Sequence, residues 1–161
     1  MKLKIVIAIV LLAAMAGCKS KAAFDYSQRI VKMEKDLAPE KEKADLRMSQ
    51  YIEVQNYDSV MSISSRMESL VNDKLNEIKK LDAPNVPKAE NFKRAAIRFF
   101  SFMKSMYTAF KSFASQTNEE EREKERQKLV DIAGRAEDAV KEIQKVQKEY
   151  ADANNFKIRP D

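Results

Sequence analysis

Apolar residues recur at intervals of three and four along four stretches after residue 23, and no stretch of useful length alternates between apolar and polar positions. A spacing of three and four places apolar side chains on one face of an α-helix, whereas alternation would indicate a strand. The sequence therefore predicts four amphipathic helices. Their apolar stripes run from Tyr26 to Val54, from Val60 to Leu81, from Phe92 to Phe113 and from Leu129 to Tyr150.

Polar and helix-breaking residues separate these stripes. Pro39 and the charged residues 40–43 interrupt the first stripe, which predicts either a kink or a new segment that begins at the proline. Residues 56–58 form the predicted turn before the second helix, with Asp58 as its N-cap. Two prolines within residues 83–87 mark the clearest boundary of the chain.

Four amphipathic segments joined by short turns are typical of a helical bundle. We predict an all-α, antiparallel up-and-down four-helix bundle that follows an N-terminal signal peptide. The alternative is an extended three-helix bundle, in which the first two predicted helices run together.

The N-terminus has the pattern of an export signal. Lys2 and Lys4 precede an apolar run over residues 5–16, which is 12 residues long. As a helix this run would span about 18 Å, too short for a hydrocarbon core of about 30 Å. A basic start, a short apolar core and small residues at its end predict a secretory signal peptide.

The end of this run, Met15-Ala16-Gly17-Cys18, resembles the lipobox of bacterial lipoproteins. The resemblance implies cleavage before Cys18 and attachment of lipid to its sulfur. The alternative is an uncleaved membrane anchor in which the cysteine is incidental. Shorter motifs at residues 25–26, 30–31 and 147–151 resemble small single-bundle lipoproteins of unassigned function.

This reading divides the chain into three parts: a signal peptide (1–17), a lipidated cysteine with a short tether (18–23) and a helical domain (24–161). The tether would span about 15–20 Å if it were extended. Lys19 follows the cysteine where an Asp would resemble an inner-membrane retention signal. We therefore expect a bacterial envelope protein anchored in the outer membrane, and its periplasmic or surface orientation stays open.

Composition excludes several kinds of chemistry. The chain has no His, a single Cys and two Gly, so it lacks an imidazole base, a Cys-rich metal site and a phosphate-binding glycine loop. We predict no enzyme activity, no metal and no cofactor. The alternating acids and bases of residues 119–128 predict a solvated helix start with local ion pairs, capped by Asn118 with Glu121.

The third predicted helix carries the candidate partner site. Residues 91–118 contain five basic residues and no acid, and Lys93, Lys104 and Lys111 share one flank of the helix, edged by Phe100 and Tyr107. Such a row suits an anionic sugar, a lipid head group or an acidic protein. The competing interpretation is that a neighbouring helix, such as the Glu-rich fourth helix, neutralises the row.

Methionine and phenylalanine are concentrated on the same helix. Met103 and Met106 lie among six of the eight Phe residues, an arrangement that a soft-metal or haem pocket would also use. Without an axial His or a haem-attachment motif, we interpret these residues as bundle core.

These observations favour a lipid-anchored, non-enzymatic binding or scaffolding module whose partners are the membrane and an anionic envelope component or protein. Nucleic acid is not an expected partner, and the oligomeric state stays open. The alternative is a carrier that holds a small apolar ligand or lipid within the bundle. Self-assembly through the Ser/Thr face of the third helix is a third possibility.

Overall fold

The structure is a computed structural model that describes the backbone of residues 2–158 and the side chains of residue 17 and residues 19–158. Within this range all regular secondary structure is helical. The helices are α1 (Lys2–Glu53), α2 (Tyr57–Lys80), α3 (Ala89–Ser115), α4 (Glu119–Ala133) and α5 (Ala136–Ala153). Helices α4 and α5 are the two halves of the predicted fourth helix, separated at residues 134–135.

The helices follow one another up and down. Helix α1 packs on α2, α2 on α3, and α3 on both α4 and α5, while α1 and α5 approach each other only sparsely. Ion pairs show the antiparallel order: Lys74 of α2 pairs with Asp36 of α1, and Arg66 pairs with Glu40. The predicted all-α bundle is confirmed, and the three-helix alternative is wrong because a turn separates α1 from α2.

Helix α1 continues through Pro39 without interruption. Proline removes one backbone hydrogen bond and normally kinks or ends a helix. Pro39 lies on the exposed side of α1, where water can bond the carbonyl that loses its partner. The predicted new segment is therefore absent, and Leu37 and Ala44 on either side of the proline are both buried.

Two local signals define the turn between α1 and α2. Gln55 adopts a left-handed conformation with φ 56°, and the Asn56 N–H donates to the Tyr51 carbonyl at 2.8 Å, which closes the end of α1. The N-cap of α2 is Asn56, whose Oδ1 accepts from the Ser59 N–H at 3.2 Å. The prediction that Asp58 caps this helix is wrong, since Asp58 lies inside its first turn.

An aromatic end cluster closes the bundle where the middle of α1, the start of α3 and the end of α5 meet. We define it by Tyr26, Phe92, Tyr150 and Phe156. Tyr150 stacks on Phe92 with ring centroids 5.1 Å apart and meets Tyr26 and Phe156 edge to face at 6.3 and 5.7 Å. Its hydroxyl donates to the Ala23 carbonyl at 3.2 Å, so the C-terminal helix is joined directly to the start of the domain.

Candidate functional site

The predicted lipidation site lies outside the described side chains. Residues 1–16 and Cys18 belong to this part of the chain, so the signal peptide, the cleavage point and the lipid attachment stay predictions. Among the described residues, no helix has the length and apolar character needed to cross a membrane.

The predicted tether is helical rather than extended. Residues 19–23 belong to α1, and Ala23 is fully buried in the aromatic end of the bundle. Five helical residues span about 8 Å, roughly half of the extended length that the sequence suggested. Cys18 therefore lies within about two helical turns of the bundle end formed by Phe24, Phe156 and Ile158.

The predicted lysine row is largely engaged within the molecule. Lys104 donates to Asn72 Oδ1 at 2.9 Å, and Lys111 forms an ion pair with Glu68 at 3.0 Å. Both partners belong to α2, not to the Glu-rich α4 that the sequence suggested. Lys93 has neither a hydrogen-bond nor an ion-pair partner among the described residues and is partly exposed.

The aromatic residues expected to edge this row are in the core. Phe100 is 1% exposed and Tyr107 is 4% exposed. The Tyr107 hydroxyl points to Asp45 of α1 at 3.4 Å, and burial together with this carboxylate raises the pKa of the phenol above its ordinary value. Phe100 and Tyr107 are therefore too buried to offer ring surface to a partner beside the lysine row.

Glu68 is the most highly bonded acid on this side of the bundle. Its carboxylate accepts from the Thr108 hydroxyl at 2.7 Å and from Lys111 at 3.0 Å. The Thr108 hydrogen bond, followed by the bond to Lys111, lowers the pKa of Glu68 below its ordinary value. These bonds join α2 to α3, which gives the predicted polar face of α3 a structural use at Thr108.

The Glu-rich start of α4 has the predicted Asn118 cap and local ion pairs, but Glu121 makes no hydrogen bond back to the Asn118 N–H. Asn118 Oδ1 accepts from the Glu120 N–H at 2.8 Å, and ion pairs at spacings of three and four follow along the exposed helix. Glu121 pairs with Lys124. Among the described residues, no three His, Cys, Asp or Glu side chains come together in a way that could hold a metal ion.

The sequence left open whether the Phe/Met-rich stretch of α3 would be closed core or a pocket wall, and the structure has a groove between α1 and α5 with α3 as its floor. We call it the α1–α5 groove and its two parts the distal and proximal chambers. The distal chamber has a volume of about 360 Å³ and the proximal chamber about 910 Å³. Glu34, Phe99 and Val140 line both chambers, so the two form one continuous depression.

The distal chamber is mainly apolar. Its walls come mainly from the Phe/Met-rich stretch of α3 and from α1, and α5 contributes two residues. The apolar lining residues are Leu37 and Ala38 of α1, Phe99, Phe102, Met103, Met106 and Phe110 of α3, and Ala136 and Val140 of α5. Several of them were predicted to be core, but on α3 they are only partly buried, because α5 does not close over them.

The proximal chamber is more polar and lies toward the N-terminal end of the domain. Phe24 and Val31 contribute apolar surface from α1, and Ile158 contributes it from the C-terminal segment. The polar lining residues are Gln28, Glu34, Lys35, Gln144, Gln147 and Lys157. The groove as a whole thus changes from apolar to mixed character along its length.

Comparisons with protein families, with curated proteins and with solved structures found no match for this chain.

Proposed function

We propose that the chain is a lipid-anchored lipoprotein of the bacterial envelope, and that its helical domain is a non-enzymatic binding module. The observation that carries this proposal is the order of residues at the N-terminus: a basic start, a 12-residue apolar run and Met15-Ala16-Gly17-Cys18. Two or more acyl chains on Cys18 would make the attachment stable, since each buried methylene contributes about 0.8 kcal/mol.

The geometry of the domain supports a close approach to the bilayer. With residues 19–23 helical, lipid on Cys18 would hold the bundle end near Phe24 and Ile158 against the membrane surface. Phe24 and Ile158 are both more than a third exposed at that end. Lys19 and Lys21 are also exposed, and each contributes about 1 kcal/mol of attraction when it lies near an anionic leaflet.

Lipidation is tested by metabolic labelling with an alkyne-bearing fatty acid. The fraction of the label that base releases and the fraction that resists base are measured, and membrane fractionation follows. We expect the full chain to be labelled and membrane-bound, and Cys18→Ser to lose both properties. Ser20→Ala is the matched control, because it changes a neighbouring small polar residue and leaves Cys18 in place. Unlabelled, freely released wild-type protein would contradict the proposal.

Orientation is tested separately by protease treatment of intact cells, with a periplasmic protein as the control. Digestion of this protein would place the bundle outside the cell, where a host, carbohydrate or neighbouring-cell partner is expected. Protection would place it in the periplasm, where peptidoglycan and envelope proteins are the partners to test. Lys19 in the position after Cys18 favours the outer membrane in either case.

The α1–α5 groove favours a second candidate function, the carriage of an apolar ligand. Cavities of about 300–1,000 Å³ with mostly apolar walls and a few polar groups are typical of small-molecule sites. The distal chamber fits this description, since it has a volume of about 360 Å³ and mainly apolar walls. Native mass spectrometry of protein purified from its own cells tests this function: a recurring bound hydrophobe supports it, and repeatedly empty spectra contradict it.

A further inference from the structure

We infer that the α1–α5 groove binds one single-chain anionic amphiphile of the fatty-acid class, with its hydrocarbon tail in the distal chamber and its carboxylate in the proximal chamber beside Lys157. This inference deepens the carrier function proposed above by naming the ligand class and its orientation. It does not depend on lipid attachment at Cys18.

The tail position follows from the walls of the distal chamber. Five large side chains of one helix, from Phe99 to Phe110, are left partly exposed in a continuous strip instead of being covered by α5. A contiguous apolar strip on a soluble domain is a usual mark of a binding site. Methionine is suited to such a wall, because its flexible thioether adapts to an irregular apolar ligand. Each methylene buried there contributes about 0.8 kcal/mol.

The charges at the distal chamber exclude it as the site of the anionic head. Lys41 on its rim is neutralised by Asp45 at 2.5 Å, and Asp45 also faces the Tyr107 hydroxyl. A carboxylate placed there would meet Asp45, which lines only this chamber, and would find no unpaired lysine on that rim. The apolar chamber is therefore suited to hydrocarbon alone.

The proximal chamber offers the groups that a carboxylate requires. Ionised carboxylates accept hydrogen bonds and donate none, and the amides of Gln28, Gln144 and Gln147 carry suitable donors. Lys157 supplies a cation without an ion-pair partner among residues 19–158. A charge-assisted bond from this ammonium would be the strongest single contact of the head group.

The dimensions favour one acyl chain. On α1 the lining residues extend from Phe24 to Asp45, about 32 Å at the rise of an α-helix. The distal volume of about 360 Å³ lies near the lower end of the range for small-molecule sites. A distal chamber of this size suits the tail of one extended chain better than the paired chains of a phospholipid.

The test uses the full chain as the cell processes it, purified in nanodiscs of neutral phosphatidylcholine, and palmitic acid that carries a diazirine. After irradiation, mass spectrometry locates the labelled peptides. Val140→Trp places a large side chain in the groove from the α5 side. Val140 itself is 39% exposed and lies outside the core. Val130→Trp is the matched control, because Val130 is 55% exposed on α4 and lines neither chamber. Circular dichroism shows whether each variant remains folded.

We expect saturable labelling within residues 99–110 and 136–143 that unlabelled palmitate displaces. Val140→Trp should reduce this labelling at least about tenfold, and Val130→Trp should leave it unchanged. Lys157→Glu should lower the binding affinity for palmitate about threefold or more. It should not lower the affinity for neutral monopalmitin, which lacks the carboxylate. Lys21→Glu controls for charge alone, since Lys21 is exposed but does not line the groove.

Three results would overturn the inference. The first is labelling spread over the surface or equal in the two tryptophan variants. The second is labelling that appears only in Cys18→Ser, which would mean that the protein's own acyl chain fills the groove. The third is a loss of labelling at protein concentrations where light scattering detects a dimer, which would mean that a second copy of the chain occupies the groove. Failure of lipid labelling at Cys18 would leave the tryptophan and Lys157→Glu readouts intact, so the anchor and the groove are tested independently.

Discussion

The two halves of the segment after residue 118 differ sharply in how they attach to the bundle. The end of α5 is tightly held: Tyr150 is fully buried, and Asn154 donates to the Pro87 carbonyl at 2.9 Å. By contrast, no residue of α4 is buried, and Val130 is 55% exposed. Apolar residues recur at helical spacing along all of α5, whereas on α4 they are confined to the last turn, where Leu129 and Ile132 are only partly buried. The comparison teaches that periodicity defines which face of a helix turns inward, whereas burial depends on what that face meets.

One side chain links α4 to the rest of the bundle at its start. Arg122 lies over the Tyr57 ring at 4.0 Å and also donates to the Gln116 carbonyl. Its side chain is only 12% exposed. This cation–π contact joins α4 to the beginning of α2, so α4 is held at its N-terminal end and loosely covered beyond it.

The largest effect is expected in the aromatic end cluster. Tyr150→Ala removes a fully buried ring that contacts Phe92, Tyr26 and Phe156, and it should lower the free energy of unfolding by about 3–5 kcal/mol. Urea unfolding followed by circular dichroism measures this change. Leu129→Ala is the matched test on α4, where Leu129 is partly exposed, and it should cost about 1 kcal/mol or less. Equal losses at the two positions would contradict the comparison.

A smaller effect is expected from Arg122→Ala. Loss of the contact with Tyr57 should lower the free energy of unfolding by about 1–2 kcal/mol. Amide hydrogen exchange should accelerate in α4 more than in α2 or the end of α5. The control is Arg126→Ala, whose side chain is 60% exposed and pairs with Glu123 at the surface, so it should change stability by no more than about 0.5 kcal/mol. Exchange that rises uniformly across the molecule would show that α4 is not a separate unit.

A residue with higher helix propensity between α4 and α5 should stabilise α4 slightly. Gly134 has a helical conformation with φ −58°, and an added Cβ would lie 3.5 Å from the Val130 carbonyl oxygen, an ordinary contact. Gly134→Ala should therefore raise the free energy of unfolding by up to about 1 kcal/mol. Thermal unfolding measures the change, and Ala133→Gly provides the opposite substitution on the neighbouring residue. A loss of stability in Gly134→Ala would show that the break at residues 134–135 is required.

Ionisation of the Tyr150 phenol should lower the stability of the protein in alkaline solution and have no effect at neutral pH. Burial raises the pKa of Tyr150 from 10.0 to about 12, so the folded state favours the protonated phenol. This contribution to stability is fully present below pH 10 and is lost as the pH rises toward 12. Urea midpoints between pH 8 and 12 measure it, with Tyr150→Phe as the variant that lacks this ionisation. An identical alkaline decline in both proteins would rule out a contribution from Tyr150.

Particular elements show how far sequence reasoning extends. The stripes of α1, α2 and α3 predicted buried residues such as Met48, Met67 and Phe92, because each of these helices meets a partner along its length. The Asn118 cap was also predictable, since its bonds are local. The cap of α2 was placed two residues late, because Asn56 and Asp58 are both good cap residues and only the end of α1 distinguishes them.

The candidate sites were harder to predict. Helical spacing placed Lys104 and Lys111 on one flank correctly, but their partners Asn72 and Glu68 lie on a different helix. The same spacing could not show whether Met106 would be covered, since coverage depends on the path of a helix about 30 residues later in the chain. The local sequence around α3 does not show whether another helix will cover it.

By itself, the sequence determined the helical class, the main boundaries and the predicted N-terminal lipobox, because these depend on local periodicity, capping and short-range motifs. Only the tertiary structure decided that Phe100 and Tyr107 are core, that Lys104 and Lys111 are bonded to α2 and that a groove separates α1 from α5. The physical reason is that burial and charge pairing arise between segments distant in the chain. The directions and separations of those segments follow from the packing of all the helices together.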